Sequence, residues 1–259
     1  MNTSILEARE LSFSYKNKQI LKNISFKLGN SEIFSIIGPN GAGKTTLLNC
    51  LLNLAKPSGG NIFLKGKSVY DYDRRKFCSI VSFVPQAHKP VFDYSVEEIV
   101  LMGKNPCLPM FSRPSSKDRE DVLKTLDELK ISHLKGRCYT QISGGELRLV
   151  LIARAVVSAS QLIFLDEPAA HLDIKNQLDI LELLKKLSLE RKVSIVMVVH
   201  DPGHALTYSD SVMLLKDGEN IAYGKPGETI TPENIFSAYG VKTKIADFEG
   251  KKVVVMCKI

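Results

Sequence analysis

One run of nine residues constrains this chain more than any other: Gly38-Pro39-Asn40-Gly41-Ala42-Gly43-Lys44-Thr45-Thr46. The apolar stretch Ile33-Phe34-Ser35-Ile36-Ile37 precedes it, and Leu47, Leu48, Leu51 and Leu52 follow at helical spacing. The order is strand, glycine-rich loop, helix. Glycines let a backbone turn tightly and aim successive N–H groups at one point, which makes a concave anion site. The helix start adds N–H groups without intrahelical partners and the positive end of its dipole. A phosphate suits such a nest. Lys44 then reaches the β- and γ-phosphates of a nucleotide, and the Thr45 hydroxyl is placed to ligate Mg²⁺. The alternative, a glycine-rich turn before an ordinary helix, gives way once the strand–loop–helix context is counted.

Length and composition set the frame. A chain of 259 residues, 44% hydrophobic and 24% charged, can bury a substantial core as one large or two small domains. The net charge of +7 suits nucleotide phosphates, nucleic acid or an anionic membrane face, and equally suits simple solvation. Cys50, Cys78, Cys107, Cys138 and Cys257 are odd in number and contain no C-x-x-C pair, which argues against a disulfide scaffold or a zinc site and fits a reducing compartment. No basic-then-apolar leader opens the sequence. Apolar runs such as Ile195–Val199 are strand length, whereas a spanning helix needs about 20 apolar residues. Work at a membrane would therefore pass through another subunit.

Along the chain, Ile5–Leu11 and Gln19–Leu28 alternate apolar and polar residues around a turn at Lys16-Asn17-Lys18, predicting antiparallel strands. Phe13 and Tyr15 beside that turn either pack or offer a face to an adenine base. Lys56–Gly60 breaks the chain, Asn61–Leu64 and Ile80–Val84 read as strands, and Pro85-Gln86 ends the second. Residues 88–158 read as a helical insertion in an α/β core: a capped helix from Ser95 to Met102, a proline-rich loop from Lys104 to Pro114, and an amphipathic helix from Ser116 to Lys130. Ser143-Gly144-Gly145-Glu146 then opens a largely apolar helix running to about Ser158. Its glycine start is either a plain N-cap or a second place for phosphate.

Leu162–Leu165 is an apolar strand ending in Asp166 and Glu167. Adjacent side chains alternate faces if the strand continues, so the two acids take different work. Asp166 can hold Mg²⁺ through water, and Glu167 can orient and deprotonate an attacking water. Ile174–Glu190 is an amphipathic helix with Ile174, Leu178, Leu181, Leu184 and Leu187 on one stripe. Val193–Val199 is a buried strand, and His200 at its exit is placed to meet a γ-phosphate. A hairpin over 212–223, a short helix from Thr231 to Tyr239 and a last strand over 251–258 complete the chain.

Taken together, these motifs resemble those of the ATP-binding cassette ATPases, in the family's order and over nearly the whole chain. Gly38–Thr46 is the phosphate loop, Gln86 matches the Q-loop, Ile142-Ser143-Gly144-Gly145-Glu146 the signature, Leu162–Glu167 the second nucleotide motif, Ala169-Ala170-His171-Leu172-Asp173 the D-loop, His200 the switch histidine and Tyr15 the adenine-stacking aromatic. The resemblance implies a P-loop NTPase, a RecA-like α/β core (residues 1–87 and 159–259) with an antiparallel β subdomain, and a helical subdomain at 88–158. It implies ATP and Mg²⁺, with catalysis by Glu167, His200 and Gln86 and metal binding by Thr45, Gln86 and Asp166. Nucleotide contacts fall to Tyr15, Gly38, Pro39, Asn40, Gly41, Ala42, Gly43, Lys44, Thr45, Thr46, Ser143, Gly144, Gly145 and Asp173. Two cassettes, a homodimer by the simpler reading, sandwich two ATP molecules, each site borrowing Ser143, Gly144 and Gly145 from the other copy. Permease subunits read the motion near Gln86, and an extracytoplasmic binding protein supplies cargo, which places the chain on the cytoplasmic face of a membrane.

Within the family, Val100–Pro106, Arg113-Pro114, His200-Asp201-Pro202 with Ala205-Leu206, and Leu215–Gly218 through Thr231–Asn234 are most similar to importer ATPases for iron–siderophore, haem or cobalamin. The departures are Ile142 for Leu, Leu147 and Leu149 where Gln or Arg is common, Lys104 and Cys107 for Arg and His, and Ala169-Ala170 for Thr-Ser. Two other readings remain. A soluble cassette acting on nucleic acid or ribosomes would fit the charge, but it would carry tandem cassettes or a long coiled-coil insertion. A cassette that binds without hydrolysing is opposed by the intact Lys44, Asp166, Glu167 and His200. Nucleic acid is therefore not expected as a partner.

Overall fold

A computed structural model describes residues 4–16, 18–86, 92–108 and 112–257. They gather into two compact units, Met1–Tyr72 with Lys185–Ile259, and Asp73–Leu184. Asn17 of the expected turn, residues 109–111 of the expected loop, residue 88 at the expected subdomain start and Lys258 at the expected last strand lie outside the described residues.

The first unit opens with β1 (Leu6–Tyr15) and β2 (Lys18–Leu28), an antiparallel pair whose register shifts between Ala8 and Leu11. β3 (Ile33–Ile37) is buried at every position, as a strand covered on both faces must be. α1 (Lys44–Leu51) follows the glycine-rich loop, and β4 (Gly59–Leu64) and β5 (Lys67–Ser68) complete a sheet ordered β2-β1-β4-β5.

The second unit begins with α2 (Arg74–Ile80), started by the Asp73 carboxylate, which accepts from the backbone N–H groups of Arg75 and Lys76. The sequence reading began a strand at Ile80. The helix claims that residue, and β6 (Val81–Val84) starts one later. α3 (Val96–Leu101) and α4 (Ser116–Glu128) each begin with a reciprocal capping box, Ser95 with Glu98 and Ser115 with Asp118. Part of the expected loop between them is a 3₁₀ turn over Met102–Cys107. Gly103 is needed there, because a Cβ would lie 2.1 Å from the Arg154 carbonyl oxygen. α5 (Gly144–Val157) buries most of its length, and β7 (Leu162–Asp166) pairs in parallel with β6. The expected helical stretch 88–158 falls within this unit, which also takes in β6 and β7.

α6 (Ile174–Arg191) leads back to the first unit. Its stripe is buried only in part. Leu181, Leu184 and Leu187 are sealed, whereas Ile174 is 77% and Leu178 41% exposed. Spacing alone could not show where along the helix the burial begins. β8 (Ser194–Val198) and β9 (Ser211–Lys216) flank β3 in parallel, and α7 (Pro202–Tyr208) connects them. β10 (Glu219–Gly224) returns antiparallel to β9. α8 (Pro226–Thr229) and α9 (Pro232–Tyr239) precede the hairpin of β11 (Lys242–Phe248) and β12 (Lys251–Cys257). The sheet of β1 and β2 meets that of β3 and β10 through rings: Phe26 on β2 lies 4.8 Å from Phe34 on β3, and Tyr223 on β10 stands edge-on to Phe34 at 5.9 Å. Sequence reasoning missed α2, β5, α7, α8 and β11, which are short or polar enough to show no period.

Replacing Leu184 by Ala should cost about 2–5 kcal/mol, the usual loss for a sealed leucine. Ile174→Ala should stay within about 0.5 kcal/mol. Denaturant titration of both variants checks the contrast, and equal losses would refute it.

Candidate nucleotide site

In the first unit the loop keeps its shape because two of its glycines have no room for a side chain. A Cβ at Gly38 would lie 2.1 Å from the Leu215 carbonyl oxygen. Gly43 has φ 101°, and a Cβ there would lie 2.9 Å from a Leu21 methyl carbon. The loop is also pinned from outside. The Gly218 N–H donates to the Ala42 carbonyl at 3.1 Å, and the Lys22 N–H donates to the Gly218 carbonyl at 2.8 Å. Gly218 itself has φ 79° and would meet the Ile20 carbonyl oxygen at 2.1 Å if it carried a Cβ. Lys44 is buried and curls back over the loop, its Nζ donating to the carbonyls of Gly38 (2.7 Å) and Pro39 (2.9 Å). α1 starts at Lys44 with no side-chain cap and no acid in its first turn. Its opening N–H groups and dipole thus face outward without a competing carboxylate. Thr45, in that turn, is exposed.

The same unit holds Tyr15 and His200. Phe13 is buried, while Tyr15 is 54% exposed and stands edge-on to it at 4.7 Å. Of the pair, Phe13 packs and Tyr15 presents a free surface. His200 is exposed directly after β8, and the Asp201 carboxylate caps α7 by accepting from the Gly203 N–H at 2.7 Å. The hydroxyl of Tyr239 on α9 is buried without a hydrogen-bond partner among the described residues, and burial pushes its phenol up to about 12.

The second unit holds the acids. Asp166 is buried at the end of β7. The strand does not run on: Glu167 has φ 49°, a left-handed conformation that non-glycine residues seldom adopt outside constrained sites. Glu167 therefore leaves the strand by a sharp turn, and strand alternation does not set the direction of its carboxylate. The Gln86 amide donates to the Glu167 carboxylate. Arg148 on α5 donates to the carbonyls of Pro85 and Gln86, both at 2.6 Å. Burial works against its positive charge, and the carboxylates of Asp166 and Glu167 favour it.

Ser143 caps α5 reciprocally with Glu146. Gly144 faces open space, and a Cβ at Gly145 would lie 3.3 Å from the Asn176 amide nitrogen. Asp173 starts α6, accepting from the Asn176 N–H at 2.8 Å and its side-chain amide at 2.7 Å. The structure thus joins Gln86 to Glu167, and Gly145 to the Asp173–Asn176 pair. Arg148, Gly218 and Tyr239 were missed from sequence. Only Arg148 left a signal, a cation one turn into a mostly apolar helix.

The fold and loop define a nucleoside-triphosphate-binding α/β protein of the P-loop class. The family model for ABC transporters matches residues 21–170. An uncharacterized ABC transporter ATP-binding protein of Methanocaldococcus jannaschii is 38% identical, over 98% of this chain and 99% of its own length. A probable iron chelatin transport ATP-binding protein of Helicobacter pylori is 33% identical over 96% and 98%. The ferric enterobactin transport ATP-binding protein FepC of Escherichia coli is 32% identical over 93% and 89%. Among solved structures, a metal-chelate type ABC transporter in an inward-facing conformation aligns with TM-score 0.87 and 31% identity, covering 99% of this chain and 97% of that one. A dimeric ATP-binding cassette with ADP and phosphate aligns with TM-score 0.74 and 28% identity over 85% and 98%. The chain belongs to the ABC transporter family, as one of its ATP-binding subunits: an ATPase of ABC fold whose hydrolysis is coupled to transport. Such subunits act as dimers with transmembrane permeases. Among the described residues no helix is long and apolar enough to cross a membrane.

One pH effect follows from the signature cap. The Ser143 N–H and hydroxyl hold the Glu146 carboxyl below its ordinary 4.5. A lowered folded-state value stabilises above the unfolded value and is lost as pH falls through the folded one. Glu146→Gln, which caps without titrating, should show a flatter fall in melting temperature below pH 4.5 than the parent. Parallel curves in thermal melts would refute the assignment.

Proposed function

We propose that this subunit powers an importer of a metal chelate such as an iron–siderophore complex or haem, working as a homodimer at the cytoplasmic face of a membrane. The support for import and cargo is the naming of its relatives in Helicobacter pylori and Escherichia coli and the metal-chelate type of the aligned transporter. An extracytoplasmic binding protein would deliver the cargo to the permease.

The observation that carries the chemistry is the loop in which Gly38 and Gly43 leave no room for a Cβ, with Lys44 folded over it. In our reading its N–H groups and Lys44 hold the β- and γ-phosphates, with Pro39, Asn40, Gly41, Ala42 and Thr46 lining the turn, and Tyr15 stacks on the base. Lys44 would leave its two carbonyl acceptors to meet the phosphate. The donors offered to a metal are a hydroxyl (Thr45), a carboxylate (Asp166) and an amide (Gln86), all hard oxygens of the kind Mg²⁺ prefers. Bound there, Mg²⁺ would neutralise charge developing on the transferred phosphate. Glu167 orients the attacking water and takes its proton, and His200 holds the γ-phosphate. The open start of α5, at Ser143, Gly144 and Gly145, receives the nucleotide of the second copy, with Asp173 beside it.

Lys44→Ala should abolish ATP binding, and Glu167→Gln should cut turnover by about 10²-fold or more while keeping it. Nucleotide-binding and phosphate-release assays check both. Undiminished hydrolysis by the Glu167 variant would remove that residue from its role. ATP-dependent dimers of that variant, seen by light scattering, would support the sandwich.

A further inference from the structure

Arg148 stands out as the one charge among the sealed residues of α5, the rest of which are apolar. It is 8% exposed, whereas its apolar neighbours Leu147 and Leu149 are only half-buried. The inversion has a physical reason. The two ends of its guanidinium each meet a backbone carbonyl, those of Pro85 and Gln86, at 2.6 Å. A planar fork with donors on both sides can grip two successive carbonyls at once, which a lysine or a single amide cannot. The gripped segment is where the chain leaves β6, beyond the ladder that would otherwise fix it. From there the Gln86 side chain reaches Glu167. Arg148 lies one helical turn beyond Gly144, on the helix that Ser143 and Glu146 open.

We infer that Arg148 is a positioning residue for Glu167: its grip on the carbonyls of Pro85 and Gln86 sets the Gln86 amide against the Glu167 carboxylate, and ties that pair to the helix carrying Ser143, Gly144 and Gly145. This rests on Glu167 being the hydrolytic carboxylate proposed above. The arginine spends both ends of its guanidinium on these two carbonyls. It supplies the polar support that Leu147 and Leu149 cannot, and it does so through the backbone. A shift of the first turn of α5 is thereby passed to Gln86 within one residue–residue contact, and from Gln86 to Glu167.

The test is steady-state MgATP hydrolysis by the full chain carrying Arg148→Met, Arg148→Lys, Gln86→Ala, or Arg148→Met with Gln86→Ala, with thermal melts of each. Arg148→Met should lower kcat about tenfold and leave KM within about twofold, since it removes placement rather than binding. Arg148→Lys, which keeps the charge but not the fork, should recover only part of the loss. In the Gln86→Ala background the methionine should cost less than about twofold further, because a residue acting through Gln86 has nothing left to place.

An unchanged kcat in the methionine variant overturns the inference. So does an equal loss in both backgrounds, or full recovery by lysine, which would leave charge alone as the cause. Failure of both single arginine variants to fold also overturns it, by making the fork a support of the fold. A parent protein without hydrolysis would instead sink the underlying reading, and this inference with it.

Discussion

The structure depends first on crowding around one turn of backbone. Between β3 and α1 the chain must present its N–H groups inward, and other strands press against it so closely that a methyl group cannot be added. At Gly38 the neighbour is the Leu215 carbonyl oxygen, 2.1 Å from where a Cβ would stand. This closeness is the source of rigidity. A loop of glycines would otherwise be the most mobile stretch of the chain, since glycine gives up the most freedom on folding. Here the β9–β10 turn holds it: the Gly218 N–H donates to the Ala42 carbonyl. The anion site is built in advance by packing behind it.

The second unit answers a different problem, how to keep charged groups buried near one another. Asp166 and Arg148 are both largely removed from water. Burying either alone would cost several kcal/mol. The arginine offsets its burial with two carbonyl acceptors and with the nearby negative charge of Asp166 and Glu167. The strained backbone at Glu167 belongs to the same arrangement, since a regular strand would turn that carboxylate to the opposite face from Asp166.

Much of this was legible in the sequence, and for identifiable reasons. Glycines, a lysine and a threonine at fixed offsets between apolar strand and helix carry their own geometry. The Ser95, Ser115 and Ser143 helix starts each show a reciprocal cap, and those at Ser95 and Ser143 could be read from Glu three residues on. What stayed hidden was non-local. The exposed start of α6 could not be separated from its sealed remainder, because both follow one period. α7 is seven residues long and has little amphipathic pattern. Gly218 looked like any hairpin turn, though it braces a loop far away in sequence. Arg148 could be seen as an oddity but not matched to carbonyls on another element.

The bracing by Leu215 and Gly218 also bears on how the protein is made. A ribosome releases the phosphate loop early, yet the residues that crowd it emerge only when most of the chain has been synthesised. Until then the glycines have neither their steric wall nor their hydrogen bonds, and the loop closes only through contacts of long sequence separation, which form slowly. A nascent or prematurely ended chain therefore carries the motif without the cradle, so competence to take up nucleotide arrives late, in one step with completion of the first unit.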